Sequence, residues 1–123
     1  MDRKPALNSR GDISAFAESY PHEDFFMQQA RKNGAEIGVL DPSVAVAGLI
    51  TFISSLISAK SVVEIGTGSG VSGLAIFNGA QKDCALTSID SDRECSELAR
   101  EIFEEAGIAQ QRFRLITGNI VEV

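Results

Sequence analysis

Apolar and polar positions alternate along this chain in blocks of two kinds, and the clearest block is the stretch SVVEIGTGSGVSG at residues 61–73. Val62, Val63 and Ile65 are apolar, β-branched and bounded by glycine, which predicts a short buried strand. A helical pattern of Val71, Leu74 and Ala75 follows the glycines, spanning Gly70 to Asn78 with Gly79 at its end. Upstream, Asp12 is a candidate cap for a short helix through Ser19, which Pro21 terminates by disfavouring helical geometry at Tyr20. A second helix is predicted from His22 to Asn33, with Glu23 and Asp24 in its first turn and Gly34 as its stop. Phe25, Phe26, Met27 and Ala30 supply its core side, and His22 reads as a surface residue. Asp41-Pro42 predicts the start of a third helix that runs to Ala59, an N-cap followed by proline at the first helical position.

Downstream, Ala85 to Ile89 reads as a second strand with Asp90 at its carboxyl end. Ser91 and Glu94 form a capping box for the next helix. Cys95, Leu98, Ala99, Ile102, Phe103 and Ala106 then recur at helical spacing, and Gly107 closes the run. Phe113 to Thr117 is a third strand, ended by the turn Gly118-Asn119. The pattern is therefore three helices followed by β-α-β-α-β. Right-handed crossovers and short loops make the strands parallel, in the order 3-2-1, with a ligand crevice outside their carboxyl ends. The expected class is α/β: one domain over 1–123, with helices in 1–60 and a half sheet of Rossmann type in 61–123.

Residues 42–59 carry no charged side chain, which raises the alternative of a membrane span. Ser43, Ala47, Thr51, Ser54, Ser55 and Ser58 recur at helical spacing as a small, polar stripe, with Leu49, Phe52, Ile53, Leu56 and Ile57 largely off it. That pattern favours a packed helix, its large side buried and its small side in close contact with a neighbour. The net charge of −6 argues against nucleic acid or an anionic membrane as the partner, since both need clustered Lys and Arg. Cys84 and Cys95 are isolated, with neither C-x-x-C spacing nor a nearby histidine. A reduced, cytoplasmic compartment follows as the expectation, with both thiols as small apolar residues. No secretory signal is visible at the start.

A strand, a glycine turn and a helix N-terminus together form a cradle for a nucleotide-type ligand. Glycine allows sharp turning and close approach, and the helix start offers unpaired N–H groups. Two registers fit. Gly68, Gly70 and Gly73 spell G-x-G-x-x-G, the dinucleotide fingerprint, with Asp90 downstream. In that register the first glycine stands three residues beyond Ile65. Taken from the strand end, the pattern is E-x-G-x-G-x-G, with an acid at the end of the next strand.

The second register resembles motif I of the class I S-adenosylmethionine-dependent methyltransferases. EIGTGSGVSGLAIF, LTSID and EEAGIAQQRFRLITGN together resemble the small bacterial O-methyltransferases related to catechol O-methyltransferase, over roughly residues 30–123. The resemblance implies S-adenosylmethionine as cofactor. Asp90 would accept both ribose hydroxyls, since a carboxylate has lone pairs for a bidentate contact. Glu64 would favour the methionine ammonium, Gly66 and Gly68 would offer backbone groups, and Ser72 would donate to the methionine carboxylate. Asn119 stands where many members carry an acid or amide near adenine. Val39, with Leu40, resembles the segment that closes over the methionine end, although an apolar pair before a helix is commonly a core contact.

In that family a later strand and loop carry an acidic metal ligand, a lysine and an Asp-Asn pair, which complete a Mg²⁺ site for a catechol-like hydroxyl acceptor. The chain stops at Val123, before such residues, so the reading is a truncated donor half. On the order of 80–100 further residues would complete the sheet. An oxidoreductase fragment binding NAD, or a non-enzymatic assembly domain, are the alternatives. The order 3-2-1 also leaves Val62 to Ile65 at a sheet edge without Lys, Pro or a bulge to guard it, which predicts a homo-oligomer.

Overall fold

The computed structural model describes residues 9–121. Five helices and three strands follow one another: α1 (Arg10–Ser19), α2 (Phe25–Glu36), α3 (Val44–Leu56), β1 (Ser61–Ile65), α4 (Val71–Gly79), β2 (Ala85–Asp90), α5 (Arg93–Glu105) and β3 (Phe113–Thr117). The strands form a parallel sheet in the order β1-β2-β3, which is the order 3-2-1 counted from the other edge. The register sets Val62, Leu86 and Phe113 side by side, and likewise Ile65, Ile89 and Ile116.

The core lies between the sheet and α2, α4 and α5. Phe103 is fully buried at its centre, with its ring edge-on to Phe77 at 5.5 Å and to Phe113 at 5.3 Å. Val62, Leu86, Phe113 and Leu115 face this core. On the opposite side Val63 and Ile65 stay about two-thirds exposed. β1 is thus an open edge strand with an apolar face, as its position in the order predicts.

Helix limits depart from the pattern where a better cap competes. Ser9, not Asp12, caps α1 and accepts the Asp12 N–H at 3.1 Å. Asp24 caps α2, accepting from Met27 N–H at 2.9 Å, so His22 and Glu23 lie outside it. Phe25, at that helix start, is exposed rather than packed. Gly34 does not stop α2. It sits buried inside the helix, where a Cβ would strike Asp41 and come 2.8 Å from the Ser69 hydroxyl. Gly38, at φ +75°, makes the turn instead, with Val39 N–H donating to Gly34 C=O at 2.8 Å and Gly38 N–H to Ala35 C=O at 3.2 Å, the paired bonds of a glycine-terminated helix. Ser43 caps α3, which begins three residues after Asp41. Asp92 caps α5 by accepting from Glu94 N–H at 2.9 Å, in place of Ser91.

α3 packs by its small stripe, as the pattern predicts, but its large side is not buried. Its small stripe is the buried one: Ala47 and Ser54 are covered, while Leu49, Phe52, Ile53, Leu56 and Ile57 are exposed. The reason is close approach to α4. Thr51 Oγ1 donates to Ala75 C=O at 2.8 Å, and Gly79 lies directly against the Thr51 carbonyl. Only small residues permit backbones so near. At 13 residues α3 is a packed helix. Among the described residues no helix is long and apolar enough to cross a membrane.

A Cβ at position 79 would overlap the Thr51 backbone, which cannot swing aside like a side-chain tip. Gly79→Ala is expected to destabilise the chain by about 1–3 kcal/mol, the range for overpacking. Urea denaturation checks this. A midpoint equal to that of the wild type would mean α3 and α4 separate freely.

Candidate functional site

The carboxyl ends of the three strands meet the glycine loop 66–70. Gly66, Gly68 and Gly70 have φ of +92°, +57° and +102°, a left-handed region that other residues rarely adopt. The loop folds back tightly because each glycine answers a different demand. A Cβ on Gly70 would come within 2.9 Å of Ile102 on α5, and one on Gly68 within 2.9 Å of the Asp41 carboxylate. Around Gly66 there is open space. There a cleft of about 310 Å³ is lined by Ile65, Gly66, Ile89, Asp90, Gly118 and Asn119, among others.

Most of the predicted residues converge here. Asp90, at the end of β2, accepts Gly68 N–H at 3.0 Å through Oδ2 and Asp92 N–H at 2.8 Å through Oδ1. Each of its oxygens keeps a lone pair for a ligand. Glu64, on β1, accepts from Ser72 Oγ on the first turn of α4 and from Ser88 Oγ on β2, the latter at 2.7 Å. Since the single proton of Ser88 goes to Glu64, Thr67 is the donor in the buried Thr67–Ser88 contact of 2.7 Å. The Ser72 proton is likewise directed at Glu64. Val39 reaches the loop from the α2–α3 linker, 3.6 Å from where a Gly68 Cβ would stand. Asn119 lines the cleft, and its side-chain oxygen accepts Val121 N–H at 3.0 Å.

One residue at the loop escaped the sequence reading. Asp41, taken for a helix cap, instead accepts Ser69 N–H at 3.3 Å and the Ser69 hydroxyl at 2.5 Å. The signal lay in Asp41-Pro42-Ser43, where Ser43 could cap the helix and free Asp41 for another partner. Of the five loop N–H groups, those of Gly66, Gly68, Ser69 and Gly70 are engaged within the protein. Gly66 N–H donates to Ile89 C=O at 2.7 Å and Gly70 N–H to Thr67 C=O at 3.3 Å; the other two go to Asp90 and Asp41. Three carboxylates, of Glu64, Asp90 and Asp41, therefore surround the loop. Among the described residues no three His, Cys, Asp or Glu side chains come together as a metal-binding group.

Burial raises the Glu64 carboxyl above its ordinary value; the hydroxyls of Ser72 and Ser88 oppose the rise and the charge of Asp90 adds to it. Glu64 does not itself line the cleft; the next residue, Ile65, does.

Comparison with known proteins gives a consistent result. A family model described as O-methyltransferase matches residues 17–123. A Mycobacterium ulcerans protein named as an O-methyltransferase is 40% identical over 120 residues, which cover 98% of this chain and 54% of that protein. One from Mycobacterium sp. strain JLS is 42% identical over 111 residues, covering 90% and 50%. A crystal structure from Corynebacterium glutamicum superposes with a TM-score of 0.83 at 27% identity, over 94% of this chain and 55% of that one. The O-methyltransferase TomG of Streptomyces achromogenes, solved in complex with S-adenosylmethionine, superposes with a TM-score of 0.78 at 24% identity, over 89% and 49%. The chain spans about half the length of the curated relatives it matches.

The raised Glu64 carboxyl makes a pH-dependent prediction. The folded chain holds that proton more tightly than the unfolded one. The resulting stability is complete below the ordinary carboxylate value of 4.5 and is lost as pH rises through the raised value. Glu64→Gln removes this dependence, so the variant is expected to gain on the wild type between pH 4 and pH 7.5. Denaturation midpoints of both proteins at the two pH values decide it. A difference that does not change with pH would show that Glu64 bears no burial cost.

Proposed function

The chain belongs to the O-methyltransferase family, and we propose that it is the donor-binding portion of an S-adenosylmethionine-dependent enzyme that methylates a hydroxyl of a small, catechol-like acceptor. The observation that supports the choice of ligand is the group of carboxylates around a loop in which four of five N–H groups are already engaged. A dinucleotide pyrophosphate draws on such N–H groups and would meet the Asp90 carboxylate in the cleft. A sulfonium bearing an ammonium group meets a favourable charge there. When bound, the cofactor supplies a methyl group activated by positive sulfur. The residues of this chain bind and orient it: Asp90 accepts from the ribose hydroxyls, Glu64 faces the ammonium, and Asn119 lies towards the adenine. Gly66 lets the ligand approach the backbone, and Ser72 turns its hydroxyl from Glu64 to the methionine carboxylate at the start of α4.

In this reading the acceptor and any Mg²⁺ are held by parts of the whole protein outside this chain, and the chain alone binds the donor without transferring its methyl group. The partner is a small molecule, not nucleic acid. A cytoplasmic setting is supported by the two free, buried thiols of Cys84 and Cys95; burial pushes the Cys95 thiol up to about 11, away from reactivity.

The open β1 edge supports a second part of the proposal, self-association. Val63 and Ile65 on the sheet and Phe52, Leu56 and Ile57 on α3 are all exposed, and a second copy can pair its own β1 along the same unguarded edge.

Two measurements test the proposal. Asp90→Ala is expected to weaken binding of S-adenosylhomocysteine by about 1.5–3 kcal/mol, the range for hydrogen bonds to a charged group. Calorimetric titration would show it, with NAD as the comparison ligand. Tighter binding of NAD, or an unchanged dissociation constant in the variant, would overturn the assignment. Sedimentation velocity at micromolar concentration should find a dimer or larger species that Val63→Lys dissociates; a well-folded monomer would remove the oligomer.

A further inference from the structure

The structure assigns to Asp41 a role in the cofactor site: we propose that it is a positioning residue that holds the glycine loop in its binding shape, selectively for the amino-acid end of the ligand. This rests on the S-adenosylmethionine reading above. Asp41 touches no part of the cleft lining. It works through Ser69, accepting both its N–H at 3.3 Å and its hydroxyl at 2.5 Å.

The surroundings of this contact are shaped for it from two separate segments. Gly34, inside α2, and Gly68, in the loop, both leave the space that the carboxylate fills, since a Cβ at either position would overlap Asp41. Gly34 lies in the last turn of α2, and its missing Cβ makes the room that the carboxylate uses. The Asp41 backbone is held on both sides as well. Val39 N–H donates to Gly34 C=O at 2.8 Å. Arg31, which grips Glu23 through two nitrogens at 2.5 and 2.8 Å, also donates to Pro42 C=O at 2.5 Å. The linker is therefore a fixed post, and Asp41 is the arm that reaches from it to the loop.

The loop needs such an arm. Three of its five residues are glycines with positive φ, and a free glycine segment samples many other shapes. Asp90 restrains Gly68, Asp41 restrains the next residue, and Val71 begins α4 two residues later. Ordering the loop before the ligand arrives lowers what binding must spend on it. The effect falls on the part of the ligand seated by the loop and by Ser72, which is the methionine portion. The nucleoside portion lies against Asp90, Gly118 and Asn119 across the cleft.

The test compares two ligands that share the nucleoside but not the amino acid: S-adenosylhomocysteine and 5′-methylthioadenosine. In Asp41→Ala the dissociation constant for the first should rise about tenfold, which is ~1.4 kcal/mol, while that for the second stays within about twofold. Asp41→Asn keeps an oxygen for the Ser69 N–H and should recover most of the loss. Ser69→Ala should give a partial loss, and the Asp41→Ala/Ser69→Ala double variant should be no worse than Asp41→Ala alone, as coupled residues require. Equal weakening of both ligands would reduce Asp41 to a fold-holding residue and overturn the proposal; so would no weakening at all in a wild type that binds. If Asp41→Ala does not fold, Ser69→Ala and Asp41→Asn carry the same two-ligand comparison. A wild type that binds neither ligand overturns the cofactor reading, and this one falls with it.

Discussion

The end of β2 is the joint on which the other parts of the site depend. Ile89 C=O receives Gly66 N–H, and Asp90 C=O receives Gly118 N–H, so both neighbouring strands are tied there as they leave the sheet. The Asp90 side chain then holds Gly68 in the loop and Asp92 at the start of α5. A parallel sheet ends with its carbonyl groups pointing outwards, and the chain must turn sharply to leave it. Two residues at the central strand satisfy those turns and leave the Asp90 carboxylate with spare lone pairs facing a cleft.

Close packing by small residues builds the layer behind this joint. Gly73 leaves room for Phe103, Gly79 for the Thr51 backbone, and Gly70 for α5. Each lets two elements approach more nearly than ordinary side chains allow. The consequence on α3 is an inversion of the usual amphipathic logic. The small stripe makes the contact with α4, and the large apolar residues are left facing outwards. Hydrophobicity by itself ranks Phe52 above Ala47 for burial. Geometry decides otherwise, because α4, the neighbour that α3 contacts most, sits on the small side.

The charges around the loop follow a different logic from those of a phosphate-binding loop with the same glycine spacing. A phosphate loop leaves its N–H groups unpaired for an anion. Here Asp41 and Asp90 accept two of them and Glu64 sits behind, so the anionic groups at this loop belong to the protein.

What the sequence determined by itself depends largely on near neighbours, although the competing caps Ser9, Asp24 and Asp92 were not singled out. The three strands, the glycine turn, the two acids at strand ends and the order of the sheet all follow from periodicity, turn chemistry and the handedness of short crossovers, and Phe113–Thr117 appears residue for residue. Tertiary structure decided what depends on distant partners. Gly34 looks like a helix stop until Asp41 and Ser69 are seen to need its missing Cβ, and Asp41 looks like a cap until Ser69, 28 residues away, is brought beside it. The exposure of the large apolar residues of α3 belongs to the same group, since whether a second face of a helix is covered depends on distant partners. Local sequence encodes preferences of a few tenths to about one kcal/mol per residue. Contacts across the fold are stronger and override them wherever the two disagree.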